Sequence, residues 1–472
     1  MQRDDDIWQF VDAKKEGFVA LSDRVWGTPE LCFTEERSVA EHVKVLEAEG
    51  FRIQRGVAGM PTAVVGEAGE GGPIVGILGE YDALPGLSQE AGVAEPRPLP
   101  GSGNGHGCGH NLLGAGALLA ATAVKDFLAA RGIPGRIRYY GCPAEEGGSA
   151  KGFMVRAGLF DDVDAAVCWH PSSFAGVSPA ESLACTQIDF TFLGRAAHAA
   201  AAPELGRSAL DAVELMAVGV NYLREHMADS SRIHYAILDA GGIAPNVVQS
   251  RATVTYLVRA ASLPELTPLA QRVRKVAQGA ALMTETNVEE RVVGADSNLL
   301  ANAPMEREMA AVLERLGPPR FEEEDRAIAA MFQATLSEED IDSTYQRAGI
   351  ARRPGVVLCD EIVPAGAVGR GGHGSTDVGD VSWVVPTVQV HGATLAVGTQ
   401  LHSWQATGQG KTEFAHKGMI HAAKAMAGTA LAALTDATLR GEASRDLAER
   451  TERTPYASPL PAGVEPALDM SR

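Results

Sequence analysis

The sequence predicts an α/β protein built on a mixed sheet, with a smaller α+β unit inserted into it. Three observations support this prediction. Short β-branched runs alternate with helical runs as far as residue 183, the pattern changes to alternating strands and two long helices over 184–296, and the first pattern resumes at 297. We therefore expect a larger domain in two segments, 1–183 and 297–472, a separate domain at 184–296, and a loosely packed tail from about residue 440.

The elements of the first segment follow from hydrophobic spacing. Amphipathic helical spacing runs through 7–50 and is clearest over 38–49. A glycine-rich stretch precedes a long apolar helix at about 112–131. The β-branched or apolar runs that predict strands lie at 62–65, 74–78, 136–143 and 165–169.

The inserted segment has its own pattern. Alternating strands are predicted at "ACTQIDFTFLG", "RIHYAILDAGG", "ATVTYLVRA" and "TNVEERVVG". Long helices are predicted at "SALDAVELMAVGVNYLREHM" and "LPELTPLAQRVRKVAQGAALM". Beyond residue 297, the runs "GVVLCDEIVP" and "PTVQVHGATLAV" predict further strands of the larger sheet.

Charge and cysteine usage limit the classes of partner and compartment. The 472 residues carry a net charge of −19, which argues against nucleic acid or an anionic membrane as a partner. The N-terminus carries three aspartates and no apolar core, and we expect every apolar run to be too short for the ~18–20 residues that cross a bilayer. Six scattered cysteines suit reduced thiols, so we expect a cytoplasmic protein.

Polar clusters follow the predicted strands, where open α/β sheets bind their ligands. Four of them are Glu80-Tyr81-Asp82, the HGCGH loop at 106–110, the Glu145-Glu146 pair after Cys142, and His170 at the end of "AAVCWH". The fifth is a C-terminal set: His373, Asp377, Asp380, His391 and His402. Imidazole, thiolate and carboxylate together suit zinc or a similar transition ion, not calcium.

The HGCGH loop allows two interpretations from its spacing. Cys108 and His110 can point inward together from a tight glycine-rich turn, as metal ligands would, or the turn can be purely structural. A phosphate-binding loop is disfavoured, because the stretch lacks the lysine and the spacing of G-x-x-x-x-G-K-[ST]. Cys142, Cys168, Cys185 and Cys359 are most simply small core residues.

The Glu145-Glu146 pair follows a strand and a proline, which favours a turn at a strand end over a charged helix face. Adjacent residues there point in different directions. One carboxylate can then hold a metal while the other acts on a water molecule, a division of labour that suits a metallohydrolase. An ordinary surface dipeptide is the competing interpretation.

The order of motifs resembles that of the dinuclear-metal amidohydrolases of the aminoacylase/carboxypeptidase superfamily. The motifs are EYDALPG, HGCGHN, CPAEEGG, CWHP, GRAAHAA, APNVVQSRATVTYLVR, GSTDVGDVSW and HSW, and they extend over nearly the whole chain. The resemblance implies a metallopeptidase-type domain with two divalent ions, Zn or Mn. It also implies that the inserted segment is a lid that makes a homodimer contact.

The resemblance assigns roles to individual residues. It implies Glu145 as general base, with Asp82 orienting a ligand. His198 would stabilise the oxyanion or bind substrate beside Asn246 and Arg259, in some relatives across the dimer. The implied metal ligands are Cys108, His110, Glu146, His170 and His402, with His391 and His373 competing for the last place. His106 is not expected to bind metal.

Two departures from more distant relatives stand out. Asn111 and Leu113 occupy the Asp and His positions of their CGHD-x-H motif, and Glu80 stands where they carry a histidine. Both changes match the branch of the family that acts on p-aminobenzoyl-glutamate, whose members work with a related A-type subunit. The resemblance therefore implies an enzyme that hydrolyses an N-acyl amino acid.

Other activities remain open at this stage. A dipeptidase would also have to recognise a free amino group, and an aminohydrolase would act on a small aromatic amine. A binding module without catalysis is disfavoured, since such a protein has no need of the general base Glu145.

Overall fold

The computed structural model describes residues 6–367, 369 and 374–471. Its strands are β1 (Arg52–Arg55), β2 (Val64–Glu70), β3 (Ile74–Glu80), β4 (Gly135–Cys142), β5 (Ala165–Ser172), β6 (Ala175–Val177), β7 (Ala184–Leu193), β8 (Arg232–Asp239), β9 (Arg251–Ala260), β10 (Asn287–Asp296), β11 (Ile362–Val363) and β12 (Thr387–Ala393). Its helices are α1 (Ile7–Trp26), α2 (Glu36–Ala48), α3 (His110–Arg131), α4 (Ala150–Arg156), α5 (Ala209–Arg224), α6 (Leu263–Thr284), α7 (Ala303–Leu316), α8 (Glu323–Gln333), α9 (Glu338–Ala348), α10 (Val378–Ser382), α11 (Trp404–Gln409), α12 (Glu413–Thr435) and α13 (Ala437–Thr451).

Eight strands form a mixed sheet in the order β1-β2-β4-β3-β5-β12-β6-β11. Its centre, β4-β3-β5-β12, is parallel, so the carboxyl ends of these four strands lie along one edge. The pairs β1–β2, β2–β4 and β6–β12 are antiparallel. The α/β fold class with a mixed sheet is therefore confirmed.

Helix α3 is the central helix of the main core. It packs against β3 on the sheet and against α1 and α12, and most of its side chains are buried. By length and composition α3 is apolar enough to cross a membrane, so the expectation that every apolar run is too short is wrong for this helix. However, 83% of its most apolar window is buried by the rest of the chain, and a core helix passes the same test.

The inserted segment forms a second sheet, fully antiparallel, in the order β10-β7-β9-β8. Helices α5 and α6 pack on each other and on β7 and β9, and a separate hydrophobic cluster fills the space between helices and sheet. We propose residues 184–296 as this domain and will call it the lid. Segments 1–183 and 297–472 would then form the larger domain.

Two local predictions are wrong. Only Ile362–Val363 of "GVVLCDEIVP" forms a strand, because Val357 bonds the loop residue Val397 instead of a neighbouring strand, while Leu358 and Cys359 are buried. The segment after residue 440 is helical to Thr451, not loose. After the helix, Leu460 is buried.

Candidate metal centre

The site lies at the edge where the parallel strands end. Asp82 follows β3 by two residues, Glu145 and Glu146 follow β4, and His170 lies near the end of β5. The HGCGH loop leads into α3, whose first residue is His110. Because these strands are neighbours and parallel, residues far apart in sequence meet at one place.

Asp82 connects two parts of the site. One carboxylate oxygen accepts a hydrogen bond from Nδ1 of His110 at 2.8 Å, and the other accepts one from the backbone N–H of Glu146 at 2.9 Å. A carboxylate requires a donor, so Nδ1 of His110 carries the proton and Nε2 is left as a potential ligand atom. Burial opposes ionisation of Asp82, but its interaction with the His110 ring outweighs burial and lowers the pKa of Asp82.

His170 is oriented in a similar way. Its Nδ1 lies 2.9 Å from the backbone oxygen of Pro171, and its Nε2 lies 3.4 Å from the sulfur of Cys108. A hydrogen bond from Nδ1–H to a backbone carbonyl oxygen commonly fixes the ring orientation of a metal-binding histidine and leaves Nε2 free for the metal. Both histidines thus direct Nε2 toward the same centre.

Two groups of potential ligand atoms share Cys108. In each group the atoms lie within 4.8 Å of one another: Cys108, His110 and His170 in one, and Cys108, Glu146 and His402 in the other. The structure therefore brings together all five ligands that the resemblance implies. A third group, Glu80, His110 and Glu145, overlaps the first.

Unpartnered polar atoms fit a cation at this centre. His110 Nε2, Glu146 Oε1 and Glu80 Oε2 are buried and have no hydrogen-bond partner in the described part of the chain. A buried polar atom without a partner costs roughly 1–3 kcal/mol, and more when it is charged. Thiolate, imidazole and carboxylate donors suit a transition ion, so these residues fit the expected metal chemistry.

Glu145 lies beside these ligand groups without completing either of the two that share Cys108. One of its carboxylate oxygens is 3.9 Å from His110 Nε2, and its side chain is 9% exposed. Burial raises the pKa of Glu145 well above its ordinary value, and the nearby charges of Glu80 and Glu146 raise it further. A carboxylate in this environment holds a proton more readily than one in water, which suits a general base that must later act as an acid.

The turn that carries Glu145 is held by a residue that the sequence analysis missed. Ala144 adopts φ 53°, an uncommon conformation for alanine, and its N–H donates to Glu35 at 2.9 Å. Glu35 also accepts bonds from Phe33 N–H and the Thr62 hydroxyl. Burial and the charge of Asp82 raise the pKa of Glu35 to about 8. In the sequence, Glu35 reads as an ordinary acid at the start of a helix.

Lys151 was also missed as a site residue. Its side chain is fully buried, with Nζ 2.6 Å from Glu80 and 2.6 Å from Asp377. Asp377 also accepts the backbone N–H of Lys151 at 2.9 Å. Lys151 therefore provides the counter-charge for two buried carboxylates. One of them, Glu80, lies 3.3 Å from His110 Nε2.

The three competing C-terminal histidines are placed differently. His402 Nε2 lies 3.3 Å from Glu146, and its backbone N–H bonds the oxygen of Gly107 in the HGCGH loop. His391 bonds Ser178 and belongs to none of the three ligand groups. His373 lies outside the described residues. His106 bonds the backbone oxygen of Val25, away from the ligand groups.

The lid contributes one of its three expected residues to the cavity over this centre. The cavity has a volume of about 1480 Å³, and its lining includes Glu145, His402 and, from β9, Arg259. Arg259 donates to the Ser375 hydroxyl at 2.6 Å. His198 and Asn246 are exposed and do not line the cavity. Within one chain, the structure does not bring them to the metal centre.

Comparison with known proteins gives matches over more than half of the chain. The model of peptidase family M20/M25/M40 matches residues 76–344. The chain is 45% identical to the B-type subunit of p-aminobenzoyl-glutamate hydrolase from Escherichia coli K12, across 98% of this chain and 99% of that protein. It is 30% identical to a Xaa-Arg dipeptidase of Mus musculus, across 89% and 86%. The crystal structure of a dinuclear metal-binding M20 peptidase from Bacillus subtilis shares the fold, with a TM-score of 0.55, 17% identity and coverage of 90% and 99%.

Replacing Lys151 by methionine is expected to destabilise the protein by about 3–5 kcal/mol, because Glu80 and Asp377 would remain buried without their shared counter-charge. Urea unfolding of the metal-free protein measures the effect. Lys44→Met is the control, since Lys44 is 66% exposed in its pair with Glu41 and its loss should change stability by less than about 0.5 kcal/mol. Equal, small effects of the two substitutions would contradict the role given to Lys151.

Proposed function

This chain belongs to peptidase family M20/M25/M40 and is a hydrolase of amide bonds, and we propose on that premise that it cleaves N-acyl amino acids such as p-aminobenzoyl-glutamate. The identity to the Escherichia coli hydrolase over nearly the whole of both chains supports this substrate class. The similarity to the Xaa-Arg dipeptidase is weaker, so dipeptide hydrolysis is the second candidate. An aminohydrolase acting on a small aromatic amine is the third candidate.

One observation carries the proposal. The largely buried carboxylate of Glu145 lies beside two groups of potential metal ligands that share Cys108, and Arg259 lines the same cavity. Cys108, His110 and His170 would hold one divalent ion, and Cys108, Glu146 and His402 the other. Thiolate and imidazole favour zinc, whereas the carboxylate also suits manganese. When bound, the two ions polarise the amide carbonyl and lower the pKa of a water molecule.

The chain's own residues perform the proton transfers and hold the substrate. Glu145 takes a proton from the attacking water and delivers it to the leaving amine nitrogen. Asp82 keeps His110 in the tautomer whose Nε2 faces the centre. Arg259 binds a carboxylate of the amino acid, for which a guanidinium has matching geometry.

His198 and Asn246 would reach the substrate from a second copy of the chain. The lid offers a surface for that contact, because β8 is the edge strand of its sheet and exposes Tyr235, Ile237 and Leu238. An edge strand with apolar side chains readily pairs with another chain. In such a homodimer, His198 would stabilise the oxyanion in the partner's cavity.

A related A-type subunit is a further candidate partner, since the Escherichia coli hydrolase is named with both A-type and B-type subunits and this chain is similar to each. We also propose a cytoplasmic location. In support, all six cysteines lie in the described part of the chain and are buried and unpaired, as reduced thiols would be.

Glu145→Gln is expected to lower kcat by about a thousandfold while leaving fold and metal content unchanged, because the amide keeps the shape of the side chain but cannot accept the proton. Release of p-aminobenzoate from p-aminobenzoyl-glutamate, with added zinc or manganese, measures kcat, and mass spectrometry of the protein measures bound metal. Glu36→Gln, at an exposed helix start, serves as the control. Retained activity in Glu145→Gln would refute the assignment of the base.

Catalysis by His198 across a dimer predicts complementation between two inactive variants. His198→Ala and Glu145→Gln should each be nearly inactive alone. A mixed dimer, purified through two different tags, should regain one working site and about half of the wild-type kcat per dimer, because it contains one cavity with both residues. A mixed dimer that forms but stays inactive would show that His198 does not act in the partner's cavity.

A further inference from the structure

A hydrogen-bonded cluster in the cavity wall has no part in the mechanism described above. It consists of Ser178, Gln389 and His391, and we call it the polar floor. All three residues line the same cavity as Glu145 and His170. Ser178 directly follows β6, and the other two lie on β12.

Strand pairing places the polar floor next to the metal centre. β12 runs parallel to β5, and His391 is the register partner of the proposed ligand His170. Paired residues on neighbouring strands lie about 5 Å apart and point to the same face. A group attached to an amide carbonyl at the metal centre is therefore within reach of His391.

The hydrogen bonds of the floor define what it can bind. The Ser178 hydroxyl lies 3.1 Å from Gln389 Oε1 and 3.1 Å from His391 Nε2. A hydroxyl donates one hydrogen, and Gln389 Oε1 can only accept, so Ser178 donates to Gln389 and accepts from Nε2–H of His391. In this tautomer Nδ1 of His391 is an acceptor, and it has no hydrogen-bond partner among the described residues.

The floor is uncharged. With its single ring proton on Nε2, which donates to Ser178, the imidazole of His391 is neutral. Gln389 and Ser178 carry no charge. The floor therefore offers an acceptor to a neutral N–H or O–H group and gives no charge attraction to a carboxylate.

Apolar side chains form part of the cavity wall that contains the floor. The cavity lining includes Val177, which precedes Ser178, as well as Phe174, Leu395 and Val363. Apolar walls with a few placed polar groups are typical of small-molecule sites and suit an aromatic ring with one polar substituent. The cationic group Arg259, by contrast, comes from the lid strand β9.

We propose that the polar floor binds the acyl side of the substrate and selects an aromatic ring that carries a neutral hydrogen-bond donor. This inference rests on the proposed function and adds to it: Arg259 recognises the amino acid, and His391 recognises the amino substituent of the aminobenzoyl group. An acyl ring without a donor leaves Nδ1 of His391 unpaired inside the cavity, and such a loss discriminates strongly between substrates.

The test compares kcat/KM for p-aminobenzoyl-glutamate and N-benzoyl-glutamate, which differ only in the amino group. The wild-type enzyme should prefer the amino substrate by tenfold or more. His391→Leu should reduce this ratio to about one, through loss on the amino substrate alone. His391→Gln, which retains an acceptor, should restore part of the preference. Ser178→Ala, a smaller change, should also lower the ratio, because it releases the bond that sets the tautomer.

The outcomes separate this inference from the proposed function. Equal wild-type rates on the two substrates would overturn the inference and leave the proposed function intact. An equal loss on both substrates in His391→Leu would mean that His391 only holds β6 against β12, which also overturns it. If the wild-type enzyme hydrolyses neither substrate, the proposed function fails first. Metal content and melting temperature of each variant are measured alongside.

Discussion

The carboxylate of Asp82 is the interaction on which the site depends. One of its oxygens accepts a hydrogen bond from His110, at the start of α3, and the other accepts one from the backbone N–H of Glu146, after β4. Two proposed ligands from different parts of the chain are therefore held at a fixed distance from each other. The same contact sets the tautomer of His110. Without the Asp82 contacts, His110 and Glu146 would not be oriented before a metal binds. Orienting them on binding would then reduce the binding free energy of each ion.

Further buried contacts hold the groups around this carboxylate in place. Glu35 accepts three hydrogen bonds around the turn that precedes Glu145, and Lys151 lies between Glu80 and Asp377. These contacts come from elements on both sides of the parallel strand ends. The large core around α3 provides the rigid support, because α3 begins at His110 itself and packs against β3, α1 and α12.

The sequence predicted the fold class, the element order and the family. Hydrophobic periodicity is a local property, and the order of motifs can be read directly along the chain. The matches to known proteins confirm the family resemblance. Lys151 could not be found in this way, since its partners lie 71 and 226 residues away. Nor could Glu35, because two of its three partners lie 27 and 109 residues away. The strand predicted over "GVVLCDEIVP" failed because burial of Leu358 and Cys359 gives the same apolar signal as a strand. Within one chain His198 and Asn246 lie away from the cavity, and the dimer contact that we propose for them is not specified by any single-chain pattern.

We propose that Cys108 would contribute to two metal sites, one with His110 and His170 and one with Glu146 and His402. Anomalous diffraction from crystals grown with zinc, and separately with manganese, tests it most directly. We predict two anomalous peaks in the cavity, both within bonding distance of the Cys108 sulfur, which is about 2.3 Å for zinc. A single peak, or two peaks neither of which contacts Cys108, would contradict the account.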